Sequence, residues 1–400
     1  FLFSTTPGVL SWSENGLGTG TTYMRIRGAG DSRINVTIDG VPLNSPEDQC
    51  VFWANMNSYS SILESVQIQR GVGSSTNGDG AFGGSVALRT KAPSYDPFVE
   101  LNASYGSYNT YNTGFSMSTG LLGKHFVADA AFHTTGTDGY IHGTAGKSGS
   151  WYAGLTWLGR DFIIRYRNIG NYEHTGQAWS GVTAGTNDLS IMDGTYGNKT
   201  GIKTYADMYR VGLGRFNSLY ESMDPETYKT TRYTLNDGSY WPKTTDNFWQ
   251  DHNILSAAWD INENLKTTLS LHYTYGYGYY DEFRPDNKVS KFGFDMVNEK
   301  GKPVTSDFIR QKGLSQNAAG LVYNINYNNN GWDVIGGLSA QMFRGNHFGY
   351  LTYVSNRDVV RHYPALAGLD DTDFDNGSYT YYDSDARKDD YSAFVKASKQ

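Results

Sequence analysis

The stretch SVQIQRGVGSSTNGDGAFGGSVALRT, residues 65–90, places strand-like alternation on both sides of a glycine run. Glycine fills six of the fourteen positions in 71–84. The flanks SVQIQR and SVALRT read as two strands. The run between them reads as a loop whose backbone passes through φ > 0 and lies close against another surface. A nucleotide site is excluded on local grammar. No Gly-Lys-Ser/Thr follows GVGSSTNG, no helical pattern succeeds it, and no GxGxxG fingerprint opens a βαβ unit.

Upstream of this stretch, MRIRG and RINVTIDGVPL alternate like strands, and Asp39-Gly40 within the second is a tight-turn signal. SSILESVQIQ suggests a short helix over 60–63 that leads into a strand. Residues 1–92 therefore read as a small α+β domain. From Phe98 the grammar changes to long period-two segments, and 98–400 read as a second, all-β domain. In FVELNASY, Val99, Leu101, Ala103 and Tyr105 share one face. In LKTTLSLHYTY, Leu269, Leu271 and Tyr273 oppose Thr268, Ser270 and His272. RDFIIRYRN sets Phe162, Ile164 and Tyr166 against Ile163, Arg165 and Arg167, and YSAFVKAS repeats the pattern.

Composition narrows what such a domain can be. The chain has 400 residues with 47 Gly and 31 Tyr, 38% hydrophobic residues and a mean hydropathy of −0.53. That is lean for a soluble core, but it suits a membrane β-barrel, where alternate strand residues face lipid and the lumen is wet. No run of eighteen apolar residues is present, so no helix would span a bilayer. A net charge of −7 argues against nucleic acid as a partner. Cys50 is the only cysteine, so neither a disulfide framework nor a thiolate zinc cluster is expected. Neither catalytic spacing nor a cofactor motif stands out. The start FLFSTTPGVL and the end YSAFVKASKQ both read as cut, as in a piece of a longer protein.

Connections alternate in length. Tight turns are expected near 121–123, 159, 261–264 and 328–331, and long loops at 134–149, 170–250, 278–314 and 345–389. Short turns at one end and long loops at the other mark an outer-membrane barrel, here about ten strands of one. A barrel must close, so further strands are expected.

Four segments now carry a resemblance. TPGV (6–9), RIRG (25–28), VTIDGVPL (36–43) and ESVQIQRGVGSSTNGDGAFGGSVALRT (64–90) resemble, in order and approximate spacing, the plug domain of TonB-dependent outer-membrane receptors. The resemblance implies an all-β membrane protein of the Gram-negative outer membrane. Its fold would be a 22-stranded transmembrane antiparallel β-barrel with an N-terminal α+β plug inside the lumen. It further implies TonB as the energy-coupling partner, a ferric chelate such as a siderophore or ferric citrate as ligand, and outer-membrane lipid around the wall. An accessory surface lipoprotein is compatible with it. Cobalamin, haem or a glycan could be carried on the same fold; a passive porin and a secreted adhesin are the readings from other classes.

The resemblance also implies site residues. Arg70 stands where such receptors place a plug arginine that pairs with carboxylates on the barrel wall. Ligand contacts fall on outward plug loops, where Arg33 suits an anionic ligand and Gln49, Phe52 and Trp53 suit a flat chelate. In the long loop at 170–250, Arg210 and Arg215 among many tyrosines suit anionic, catecholate or citrate-type ligands. DDTDFDN (370–376) has carboxylates for a hard cation but lacks the spacing of a calcium loop, so no metal site is assigned. His133 and His272 fall on the polar strand face.

Overall fold

A computed structural model of the protein describes residues 3, 5–56, 58–72, 81–179, 202, 204–374 and 377–399. The N-terminal domain opens with a hairpin of β1 (Val9–Ser13) and β2 (Thr22–Ile26), on which Trp12 and Tyr23 stack with ring centroids 5.2 Å apart. A four-stranded sheet follows, built from β3 (Ile34–Ile38), β4 (Val41–Pro42), β5 (Leu63–Arg70) and β6 (Gly84–Thr90) in the order β4-β3-β6-β5. β3 and β6 are parallel; the other pairs are antiparallel. Asp39 (φ 48) and Gly40 (φ 82) form the two-residue turn between β3 and β4, the left-handed pair that a tight hairpin requires. Ile34, Val36, Ile38, Val86 and Leu88 are fully buried, with Met24 and Ile26 of the hairpin in the same core. In place of a helix at 60–63, a single 3-10 turn spans Tyr59–Ser61 and the strand already begins at Leu63. The central part of the glycine run, 73–80, lies outside the described residues.

Ten strands form one antiparallel sheet in sequence order. They are β7 (Pro97–Tyr105), β8 (Tyr111–Thr119), β9 (Phe126–Thr137), β10 (Gly146–Leu158) and β11 (Phe162–Gly176), which pair in turn. A small excursion separates β11 from the next wall strand. It holds helix α1 (Tyr205–Arg210) and a ribbon of β12 (Glu221–Met223) and β13 (Thr230–Arg232). The wall continues as β14 (Thr245–Asn262), β15 (Leu265–Lys288), β16 (Thr305–Asn329), β17 (Trp332–Val354) and β18 (Tyr379–Lys399), with helix α2 (Arg357–His362) between the last two. The sheet is open: β7 and β18 are its two ends among the described residues.

The two faces differ as the alternation requires. Val99, Leu101, Leu155, Leu255, Leu271, Leu338 and Val395 are exposed on the outside. The opposite face buries polar groups, among them His133, Ser150, Arg167, Glu173, His252 and His272. Exposed aromatics bracket the apolar band. Trp259 and Trp332 sit by the short turns and Trp249, Tyr275 and Tyr277 lie further out. From Trp249 to Trp259 is ten residues, roughly 33 Å of strand, or about 25 Å of height at a tilt of about 40°. That matches the apolar band of an outer-membrane barrel.

The long connections are shorter than the sequence suggested. Strands run on through 134–137, 170–176, 245–250, 278–288, 305–314, 345–354 and 379–389, which had been read as loop. Beyond the apolar band the strands bury residues against the loop elements, Phe283, Phe308, Ile309, Leu351 and Tyr353 among them, so the lipid-facing alternation disappears there although the ladder continues. Within the longest connection, 180–201 and 203 lie outside the described residues.

Candidate functional site

The N-terminal domain rests on the polar face of the sheet, held by polar contacts along its length. The deepest is an ion pair. Arg167 of β11 donates through Nη1 to Asp39 Oδ2, with side chains only 3% and 10% exposed. Asp39 also accepts from the Thr90 amide at 3.0 Å and its hydroxyl at 2.7 Å, while Arg167 Nη2 donates to Ser256 Oγ at 2.5 Å. Two residues away, Arg165 Nη2 donates to the Lys91 carbonyl at 2.6 Å, so neighbouring inward arginines hold the turn and the linker. Higher on the wall, Ser58 and Thr135 hydroxyls lie 3.1 Å apart, Thr21 donates to Gln177 at 2.8 Å, and His347 meets Glu47 at 2.8 Å.

Arg70 does not take the locking role within the described residues. Its Nη1 donates to the Pro7 carbonyl at 2.8 Å inside its own domain, and the side chain is otherwise exposed. The pair seen between domain and wall has the opposite polarity, with the carboxylate on the domain and the arginine on the wall. Sequence reasoning saw Asp39 as a turn residue and Arg167 as inward-facing, but nothing local joins residues 128 apart.

At the long-loop end a cavity of about 520 Å³ opens between domain and wall. The loop at 44–57 forms its floor, and Asn44 fixes that loop. Asn44 Oδ1 accepts from the Val36 amide at 2.7 Å, and its Nδ2 donates to the Ile34 and Gln49 carbonyls at 2.9 and 2.8 Å. The turn then closes, with the Ser45 amide on the Cys50 carbonyl at 2.8 Å. This delivers Phe52, 53% exposed, and Trp53, whose ring meets Phe3 edge-on at 5.1 Å, to the cavity. From the wall come Phe248, Tyr280 and Lys312. Trp179 packs on Tyr280 with centroids 5.0 Å apart.

Of the residues expected to bind ligand, Phe52 and Trp53 line this cavity. Gln49 lines a smaller one beside His272. Arg33 is exposed at the start of β3, with its carbonyl accepting from the Gly83 amide. Arg210 pairs with Asp207 at 2.5 Å on α1. Arg215 donates to the Tyr140 carbonyl and lies over the rings of Tyr108 and Tyr140, 5.4 and 5.5 Å from their centroids. Arg33, Arg210 and Arg215 therefore do not reach the cavity. Tyr23, Phe248, Tyr280 and Lys312 were missed, the last three because they sit on outer strand segments that read as loop. Among the described residues no His, Cys, Asp and Glu cluster is arranged to hold a metal ion. Asp370 lies 3.8 Å from Arg357, and residues 375 and 376 of the acidic loop lie outside the described residues.

Burial sets the electrostatics of the floor. The Cys50 thiol is pushed up to about 11 by burial, with Asp48 and Asp31 adding to it. Asp31 is raised by burial, against the Met24 amide and Arg25. Glu14 is likewise raised by burial, against the Tyr23 hydroxyl, which donates to it at 2.5 Å, and the Ala178 amide. Folded protein thus holds the Glu14 proton more tightly than the unfolded chain does. The resulting stabilisation is full below the ordinary glutamate range and fades as pH rises through the elevated folded value. Melting the purified protein at a series of pH values should show Glu14→Gln flattening this part of the profile. An unaltered profile would remove Glu14 as its source.

The structure thus sets a small mixed domain on the polar face of a long antiparallel wall whose other face carries an apolar band. Residues 2–85 match the family model described as the TonB-dependent Receptor Plug Domain. No curated protein matches the sequence. Among solved structures, the siderophore receptor PiuA from Acinetobacter baumannii is 14% identical at a TM-score of 0.58, over 99% of this chain and 52% of that one. The open form of the ferric-catecholate import receptor Fiu from E. coli K12 is 13% identical at 0.62, over 99% and 53%. The copper transporter OprC is 13% identical at 0.57, over 89% and 46%. The chain spans about half the length of these structures, and at such identities the likeness is one of fold. Residues 2–85 thus carry a match to the plug of TonB-dependent receptors, and the described residues share the fold of these solved structures.

Proposed function

We propose that this protein imports a ferric siderophore across the outer membrane, driven through TonB. Its wall would close into a 22-stranded, lipid-embedded barrel around the plug. The observation that carries the reading is the cavity of about 520 Å³ between plug loop and outer wall, floored by Phe52 and Trp53. It lies at the long-loop end, the side from which an outside ligand arrives. Solved structures of this fold include named siderophore receptors, which supports iron; the copper transporter among them shows that fold alone does not choose the cargo. In this reading a chelate settles on the two rings, and force applied to the plug then breaks its polar contacts with the wall.

Uptake of radioiron chelates by cells with and without the receptor tests the reading. Trp53→Ala and Phe52→Ala should each lower uptake at limiting chelate by roughly tenfold, the loss expected for one ring contact and its buried area. Surface levels should stay normal. Iron uptake unaffected by receptor loss, alongside receptor-dependent uptake of cobalamin, haem or copper, would replace the cargo and keep the transport class.

A further inference from the structure

Three carboxylates, Asp31, Asp48 and Asp246, line the outer cavity against a single lysine, Lys312. Lys312 is itself occupied, its Nζ lying 5.9 Å from the ring centroids of both Tyr280 and Tyr382. His347, also at the cavity, faces Glu47 at 2.8 Å. Tyr23 offers no free hydroxyl proton, since it donates to Glu14. No arginine is among the lining residues described. An anion entering here would find acceptors and like charge. A cation would find carboxylates and the π faces of Phe52, Trp53 and Tyr280, both of which attract it. Beside polar Thr21, Thr22, Asn55 and Gln316, the lining includes apolar Val51, Phe248 and Leu314, which suits a ligand with a greasy face.

From this we infer that the cavity selects uncharged or cationic chelates with an apolar face and disfavours polyanionic ones. The inference rests on the ferric-chelate reading and reverses the ligand charge that the arginines of the sequence suggested. Asp48 is the most accessible of the three carboxylates and supplies the outer charge. Asp246, at the start of β14, is the inner carboxylate; burial, with Glu14 and Asp281 adding to it, pushes it up to about 7, so it carries its full charge only above that pH and Asp48 is the standing one.

The test is direct binding to the whole receptor in detergent, followed by tryptophan quenching. The probes are a cationic ferric tris-hydroxamate, a neutral ferric tris-hydroxamate and a trianionic ferric tris-catecholate. The cationic and neutral chelates should bind at least about tenfold more tightly than the trianion. Asp48→Asn and Asp246→Asn should weaken the cationic chelate by roughly tenfold while leaving the neutral one within about twofold. Asp48 is exposed, so its variant folds and keeps the comparison valid if Asp246→Asn does not. Equal or tighter binding of the trianion, or variants that leave the ratio of cationic to neutral binding unchanged, would overturn the inference and leave ferric-chelate import standing. Binding of none of the three would remove both.

Discussion

Asp39→Ala should destabilise the protein by about 3–5 kcal/mol, because Arg167 would stay buried without a counter-charge. The same carboxylate holds the Thr90 amide and hydroxyl, so its loss also frees the end of β6, where the chain leaves for the wall. The effect should show as a lowered melting temperature and as protease access to the linker at 91–96. Asp39→Asn keeps acceptors for Thr90 but not the charge, and should fall between. Combining Asp39→Asn with Arg167→Gln removes the stranded cation and should recover about 2 kcal/mol over the sum of the single losses. Additive losses in that cycle would mean that the two groups do not act as a pair.

Gly84→Ala should cost about 3 kcal/mol, from overpacking added to backbone strain. A Cβ at this position would sit 2.4 Å from the Gln69 carbonyl oxygen and 3.2 Å from Ile26 Cδ1, and Gly84 has φ 157. The oxygen belongs to the backbone of β5, which is registered against β6, so it cannot step aside alone. Gly71 gives the contrast. Its φ of 89 strains any side chain, but a Cβ would meet only the mobile tip of Arg27 at 3.5 Å. Gly71→Ala should therefore cost only about 1 kcal/mol. Denaturation of the three proteins in detergent separates the cases; equal losses would mean that conformational freedom, not crowding, dictates glycine at both ends of the run.

That contrast answers what the glycine run does and shows what was legible. Two strands flanking a permissive loop could be read from 65–90 because alternation is a local signal. The apolar faces of β7, β15 and β18 were legible for the same reason: Val99, Leu271 and Val395 lie exposed where the period of two put them. The outer reaches of β14 to β18 were not. Above the apolar band, where Phe248, Tyr280 and Lys312 stand, the strands bury residues such as Phe283, Phe308 and Tyr353 against loop elements and not only toward the plug, so the lipid-facing period carries nothing there. Those segments supply the wall of the cavity, which is why half of the site escaped notice. The arginines misled for a different reason. Arg210 and Arg215 have the chemistry to bind an anion, but Asp207 and the Tyr140 carbonyl already engage them. Residue type reveals capacity; only the fold reveals whether the capacity is spent.

The claim on which the rest depends is that the plug packs on the polar face of this wall and must leave it for cargo to pass. Ser58 of the plug and Thr135 of β9 hold their hydroxyls 3.1 Å apart, close enough for a disulfide once both are cysteine and Cys50 is replaced by alanine. Oxidising outer membranes that carry Ser58→Cys and Thr135→Cys should shift the receptor to a cross-linked, faster-migrating form that reductant reverses, with uptake blocked only while the bond stands. Two thiols that remain open to maleimide after oxidation would contradict the packing, and unimpaired uptake through the cross-linked form would contradict the movement.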